Sequence, residues 1–552
     1  MHKLQLVFFC IIACLLVIII RLSYIQIIAA NSYSENRYLT TTRISPDRGE
    51  LFDRNGEPLV INRATYKLFF SPQDIKEDDV LVKKVEEVTK LGEATISARI
   101  QKDKKWVSVT GGLTLDQKEQ LEKSGLPGIG FEKEVGRYYP EASLSAQLTG
   151  FLGKDLSGNS TGYFGIEGYY ERDLAGLPGL FKSERDVVGK PIFVGVQEVV
   201  PGENGRDLYL TIDKTVQNTI KRSLHQGIER YGAASGCVIV MQPFTGEILG
   251  MSCLPDFDPS HYRDFSETYF RNPAISDVFE PGSIFKPLIM GAALNEKAIE
   301  LSDTYEESGP IRIGQYTIDN WDKRHDGEIT MTEILEKSSN LGMVHVGDKL
   351  TPPKIEAYLQ RYGFGEKTGI DVQGEVSSSL RKRWAPIDYA TATFGQGIAV
   401  TPIQMVTAFS SLVNGGWIMK PHVVKKIVSD DGESRNIEPK KVRQVLKGHT
   451  SEQVKRMLEQ VVMHGEVDWK IPKGYRVGGK TGTAQIAVEG RYDGTKTIAS
   501  FVGFAPVEKP QFLIMVSLRE PSSSIWGSET AAPLFFEILH ELLMYYTIAP
   551  TS

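Results

Sequence analysis

The sequence predicts one N-terminal transmembrane helix followed by two folded parts, an α+β segment and then a larger body of the α/β plus α class. Three observations lead there. An almost wholly apolar run opens the chain, from Leu4 to Ile20. Near residue 205 mixed, charged segments give way to a long amphipathic period over about Lys214–Tyr231. From there onward, apolar helical runs alternate with β-like runs, the pattern of an α/β body.

The opening run reads LQLVFFCIIACLLVIII, with Lys3 before it and Arg21 after it, and Leu22, Tyr24, Ile25, Ile27 and Ile28 continue its apolar character. Crossing a bilayer takes about 17–20 such residues, so the run reaches the minimum and its flank extends it. Arg21 can snorkel to the headgroups. A cleaved signal peptide is the rival reading. Ile28-Ala29-Ala30 makes a poor small-x-small site, and Arg21 sits where a cleavage region would be neutral. The assignment is an uncleaved anchor over residues 4–28, with residues 1–3 as a cytoplasmic tip and the rest exported.

Composition narrows the function. Hydrophobic residues make up 41% and charged residues 24%, enough apolar material to exclude disorder as the dominant state. A net charge of −6 gives no electrostatic support for nucleic-acid binding. Four cysteines are too few for a disulfide scaffold. Cys10 and Cys14 fall in the anchor. Cys237 and Cys253 flank a predicted hairpin, SGCVIVM, then the turn QPFTGE, then ILGMSC. Their midpoint lies in the turn, so they can face each other across the ladder. Export permits a disulfide there, but two buried apolar thiols are the expected state.

The remaining elements follow in order. RGELFDRNGEPLV, from Arg48 to Val60, carries an Asn55-Gly56 turn signal between two apolar segments and reads as a hairpin. Residues 62–135 are charged, with helical stretches such as DDVLVKKVEEVTKL, and Tyr163–Gly179 is glycine-rich and aromatic. The boundary near 205 divides 29–205 from 206–552, and a last helix is expected around Leu534–Tyr546. No internal repeat or long low-complexity stretch occurs.

Short motifs need their surroundings. Ser-x-x-Lys occurs at Ser283–Lys286 and at Ser379–Lys382. Ser283 follows Glu280-Pro281-Gly282 and precedes an apolar helix, so it sits at a helix N-terminus, where unpaired N–H groups and the dipole favour developing negative charge. Pro287 is tolerated in that first turn. Lys286 lies one turn up on the same face, and burial there would let it act as a neutral amine. Alone, the pair also fits an N-capping serine with a surface lysine. Ser379 lies in the cationic run SLRKR and reads as a solvated loop.

Lys-Thr-Gly occurs at Lys367–Gly369 and at Lys480–Gly482. The first joins a helix ending near Tyr362 to the next element and reads as structural. The second lies in a glycine-rich, then β-like run, where an edge strand can pair with an extended peptide. Lys480, Thr481 and Thr483 could then hold a terminal carboxylate. Gly474 to Thr481 also satisfies the P-loop pattern, but a polar segment broken by Pro472 precedes it and a β pattern follows, so a nucleotide site is rejected. Ser-x-Asn occurs several times, among them at Ser338-Ser339-Asn340, after the helix MTEILEK, and at Ser157-Gly158-Asn159 in a turn. The first alone reads as a polar helix C-cap. Nine His and four Cys show no metal-ligand spacing.

In order, SIFK, SSN and KTGTA resemble the penicillin-recognising serine acyltransferases. RGELFDRNGEPL, FGIEGYYERDLAGLPG, MQPFTGEILGM, FEPGSIFKP and FGQGIAVTPIQM sharpen this to a resemblance to class B penicillin-binding proteins, from about Arg48 to the C-terminus. The resemblance implies a serine β-lactamase-like transpeptidase domain, an antiparallel sheet flanked by helices, on an elongated α+β pedestal. It implies Ser283 as nucleophile, Lys286 as general base, Ser338 as proton relay with Lys480 setting that network's protonation, and Asn340 orienting the substrate amide. Thr481 and Thr483 would bind the substrate carboxylate in the Lys480-Thr481-Gly482-Thr483 segment. The N–H groups of Ser283 and Thr483 would form an oxyanion hole. The substrates would be peptidoglycan stem peptides ending in D-Ala-D-Ala, with β-lactams as inhibitors, no cofactor and no metal. A polytopic glycosyltransferase and divisome proteins would be partners at the bacterial cytoplasmic membrane.

Gln242 departs from the aspartate often found before Pro-x-Thr-Gly, a difference expected to affect the turn and not the chemistry. A β-lactamase needs a group that activates a deacylating water, and no Glu is identifiable for it. A β-lactam sensor needs a cytoplasmic output domain, and about three residues precede the anchor. A catalytically dead scaffold conflicts with three intact motifs. FGQGIAVTPIQM leans towards the division branch, with elongation- and sporulation-specific enzymes as alternatives.

Overall fold

The computed structural model describes residues 2–28, 39–156, 158–184, 197–465, 470–488 and 491–550. Ser157, in one of the rejected Ser-x-Asn matches, lies outside them. The chain forms two compact units, Met1–Arg48 with Ala175–Gly205, and Gly49–Leu174 with Arg206–Ser552.

In the first unit, helix His2–Ser23 runs into a π-helical turn, Tyr24–Ile28. Gln5–Ile27 is long and apolar enough to cross a membrane, and none of it is buried within the protein. A three-stranded sheet has Gly179–Glu184 at its centre, antiparallel to Leu39–Ile44 and to Gln197–Val200.

The second unit holds a five-stranded antiparallel sheet in the order Ile248–Leu254, Ser235–Met241, Phe512–Arg519, Arg491–Ala505, Gly478–Val488. Strand alternation divides its side chains between two cores. Val238, Val240, Phe501, Ile514 and Val516 pack with Ile220, Leu224, Phe535 and Leu539, from the helices Lys214–Tyr231 and Ala531–Tyr545. Cys237, Ile239, Met241, Leu513 and Met515 belong to the other core, with Phe285, Leu288 and Ile289. Both faces are covered, which is why these strands read as almost unbroken apolar runs.

Local signals explain the element ends. Asp213 caps helix Lys214–Tyr231 by accepting from the N–H groups of Thr215 and Val216, and Gly232 ends it in the left-handed conformation. The expected hairpin forms around Asn55-Gly56, pairing Leu51–Phe52 with Pro58–Phe70. Gln242 replaces an acidic turn residue without loss, because its Oε1 accepts from the N–H groups of Phe244 at 2.7 Å and Thr245 at 2.8 Å.

One expectation is corrected. Cys237 and Cys253, read as two buried thiols, form a disulfide. They are direct cross-strand partners with Cα atoms 4.1 Å apart. That is the spacing of a non-hydrogen-bonded pair, where facing side chains come closest. The sequence showed that they could face each other but not how near they come. The bridge closes a 16-residue separation. Its reduction is expected to lower stability by about 3 kcal/mol, seen as a lower melting temperature of the intact chain in reductant.

Candidate active site

Gly282–Phe285 form a 3-10 turn that leads into helix Lys286–Asn295. Every residue of that helix is buried, which accounts for the run KPLIMGAALN. Pro287 sits in its first turn. Ser283 keeps partial exposure at the N-terminal end and its side chain caps nothing, so the N-capping alternative is set aside.

Close glycine contacts fix this turn. Gly282 has φ +57° and donates its N–H to the Gly395 carbonyl at 3.0 Å. A Cβ on Gly395 would lie 2.3 Å from the Gly282 carbonyl oxygen. A Cβ on Gly482 would lie 2.9 Å from Ile284 and 2.6 Å from Ser500 Oγ. The SIFK turn thus lies directly against the KTG strand, as the glycines permit.

Lys286 has no exposed surface. Its Nζ donates to the Ser338 carbonyl at 2.5 Å, to Ser338 Oγ at 3.2 Å and to Asn340 Oδ1 at 2.9 Å. Burial, and then the positive charge of Lys480, push the Lys286 amine well below its ordinary value, while Glu307 pulls it upward. These are the conditions under which a lysine is a neutral base at moderate pH.

Ser338-Ser339-Asn340 joins two helices. Met331–Glu336 ends just before it, and Ser339 N-caps Asn340–Leu350 through the Gly342 N–H at 2.8 Å. The expected C-cap is therefore only half of its job. Ser338 adopts φ +54°, a left-handed conformation uncommon for serine. Asn340 Nδ2 donates to the Asp319 carbonyl at 3.1 Å, which leaves Oδ1 for Lys286.

Lys480, Thr481, Gly482 and Thr483 lie on Gly478–Val488, at the end of the strand order and paired, among the described residues, with Arg491–Ala505. A strand in that position is the kind to which an extended chain can add by β-augmentation. Lys480 is 1% exposed, and its Nζ lies 3.3 Å from both the carbonyl and Oγ1 of Thr481. Thr481 and Thr483 share one partly exposed strand face. Thr483 Oγ1 accepts the Gly527 N–H at 3.1 Å.

The rejected matches stay apart from this arrangement. Ser379 and Lys382 are exposed in irregular backbone. The Thr368 N–H and hydroxyl both bond Glu375 Oε1 at 2.6 Å, a local turn. The P-loop match ends in a strand, with no helix for a phosphate. Three contributors were missed from sequence: Glu307, Asn320 and Gly527. None belongs to a short motif, and all three act through contacts between distant segments.

The sequence matches the family described as "Penicillin binding protein transpeptidase domain" over residues 236–540 and "Penicillin-binding Protein dimerisation domain" over residues 43–210. Stage V sporulation protein D of Bacillus subtilis is 33% identical, covering 97% of this chain and 84% of the relative. The peptidoglycan D,D-transpeptidase FtsI of Escherichia coli is 28% identical, covering 98% of this chain and 92% of the relative. A solved peptidoglycan synthetase of Bifidobacterium adolescentis superposes with a TM-score of 0.75 at 25% identity, over 93% of this chain and 98% of that one.

Proposed function

The chain belongs to the class B penicillin-binding proteins, and on that premise we propose that it is a membrane-anchored serine D,D-transpeptidase that cross-links peptidoglycan stem peptides through an acyl-enzyme at Ser283. One observation carries the residue roles: a fully buried lysine amine, held by Ser338 and Asn340, one helical turn from a partly exposed serine.

Ser283 Oγ attacks the carbonyl between the two D-Ala residues as the Lys286 amine takes its proton. The N–H groups of Ser283 and Thr483 stabilise the oxyanion. Collapse breaks the peptide bond, and Ser338 passes a proton to the departing D-Ala nitrogen. Lys480 sets the protonation of that path. An amino group of a second stem peptide then attacks the ester, forming the cross-link and restoring the Ser283 hydroxyl. Asn340 orients the substrate amide, and Thr481 and Thr483 bind the terminal carboxylate while the donor extends along the strand edge at Gly482. A β-lactam ring acylates the same oxygen.

Residues 4–28 anchor the chain, 29–205 form the pedestal and 206–552 the transpeptidase domain, on the outer side of the cytoplasmic membrane. The partner is a polytopic glycosyltransferase, met through the membrane helix and pedestal, together with divisome proteins. Septal wall synthesis is the assigned role. The Bacillus subtilis relative favours sporulation as the second reading, and localisation of a fluorescent fusion at division septa or at forespores decides between them.

The test is a reaction of the purified full chain with a donor peptide ending in D-Ala-D-Ala and an acceptor amine. Mass spectrometry is expected to show one D-Ala released per cross-link formed. Release without cross-linking would overturn the transferase assignment. Rapid hydrolysis of penicillin would point to a β-lactamase, and neither label nor product to a scaffold.

A further inference from the structure

Beneath the lysine site lies a buried carboxylate that the proposed reaction leaves without a task. Glu307 ends the strand Thr304–Glu307 and is 1% exposed. Its Oε1 accepts from the Ser339 hydroxyl. Its Oε2 accepts from Asn320 Nδ2 at 2.9 Å and from the Asp326 N–H at 3.1 Å. Two of these donors lead directly to the walls of the amine site. Ser339 lies between Ser338 and Asn340, whose oxygens take the Lys286 amine. Asn320 Oδ1 accepts the Asn340 N–H at 2.9 Å, and its Nδ2 also donates to the Arg324 carbonyl at 2.8 Å. The Asn320 amide is thereby fixed in one orientation.

Ser338 sharpens the case. A serine at φ +54° persists where neighbouring contacts over-determine the backbone. The next residue, Ser339, supplies them: its hydroxyl donates to Glu307 while its oxygen caps the following helix at Gly342 N–H, 2.8 Å away. A buried carboxylate costs desolvation unless it is hydrogen-bonded, and one of the three bonds that meet that cost, the one from Ser339, comes from the turn itself.

We propose that Glu307 is a positioning residue of the transfer reaction, clamping the Ser338–Asn340 turn through Ser339 and Asn320 so that its oxygens face Lys286, and holding a negative charge beside the amine site. The proposal rests on the reading of Ser283 and Lys286 as nucleophile and base. Two charges act on Lys286, Lys480 from the edge strand and Glu307 from below, with opposite sign. Around Glu307 itself, Tyr305 shares its strand and Asp326 offers its N–H, while the nearby His325 is engaged by Asp319 at 3.0 Å. Removing the Glu307 charge removes the pull that raises Lys286. The pH at which the amine becomes a free base should then fall.

The experiment measures the second-order rate of acylation by a fluorescent penicillin against pH, with melting temperature, for the full chain. Glu307→Gln is expected to acylate about ten- to a hundredfold more slowly, as misplaced catalytic groups do, with the acid-limb midpoint at lower pH. Glu307→Asp, which keeps the charge on a shorter arm, is expected to restore the wild-type midpoint at a reduced rate. A folded Glu307→Gln protein with wild-type rate and midpoint overturns the proposal. If Glu307→Gln does not fold, Ser339→Ala decides. It removes one donor and no charge, so a several-fold slower rate at an unchanged midpoint is expected, and a wild-type rate overturns the clamp. Ser283→Ala runs alongside. If it labels like wild type, the underlying site reading fails and the positioning role falls with it. If it is silent while Glu307→Gln matches wild type, only the role of Glu307 falls.

Discussion

A protein carrying Ser283→Ala is expected to take no covalent label from a fluorescent penicillin, while the wild-type label survives denaturation. Loss of a nucleophile that acts together with its base costs about a millionfold in rate, so residual labelling should be undetectable. The fold should not notice. Ser283 is partly exposed and caps no helix, its neighbour Gly282 carries the unusual backbone angle, and the packing partners of the turn are Ile284 and Phe285. A surface-like substitution of this kind usually changes stability by about 0.5 kcal/mol or less. Loss of label at an unchanged melting temperature therefore separates chemistry from unfolding. A persisting label would move attention to Ser379, which has an exposed Lys382 three residues on and nothing that would make it a neutral base.

Much of this arrangement was legible because it is local. Pro281-Gly282 before an apolar run announces a turn into a buried helix. The hairpin around residues 242–247 is written in two apolar strands and a turn sequence. Gly478-Gly479 followed by alternating small residues announces a strand, while its place at the sheet edge comes from the strand order. The P-loop pattern failed on the same local grounds, since nothing after Lys480 can open a helix. What escaped was long-range. Glu307 stands in TYEESG, where two adjacent acids look equally solvated, yet Glu306 is exposed while Glu307 is buried. Only the pairing of Thr304–Glu307 with Gly327–Thr330, and the return of Asn320 beneath Asn340, separates them. The disulfide escaped for a similar reason. A hairpin pattern gives facing residues, but whether a pair is of the hydrogen-bonded or the close kind depends on register.

Lys286→Met is expected to lower acylation by about a thousandfold, within the range for loss of a general base, and to leave the protein at least as stable at mildly acidic pH. The two effects have one cause. The Lys286 amine sits without exposed surface in a helix whose other residues are mostly apolar, and burial there disfavours its charged form. Met fills a similar volume with no charge to desolvate, and replacing a buried charge by an apolar group is often neutral or stabilising. The sign of the pH dependence follows. The folded-state value of Lys286 lies well below its ordinary 10.5. Between the two values the unfolded chain binds a proton that the native chain does not, so native stability rises with pH across that window. Below the depressed value both states carry the proton, and the cost of the buried charge is felt in full. Wild type should therefore gain in melting temperature relative to Lys286→Met as pH rises, and its acylation rate should fall as pH drops through the same depressed value. Paired melting and acylation profiles test both limbs on one sample. A melting difference independent of pH, or a Met variant that acylates like wild type, would show that the catalytic proton leaves Ser283 by another route.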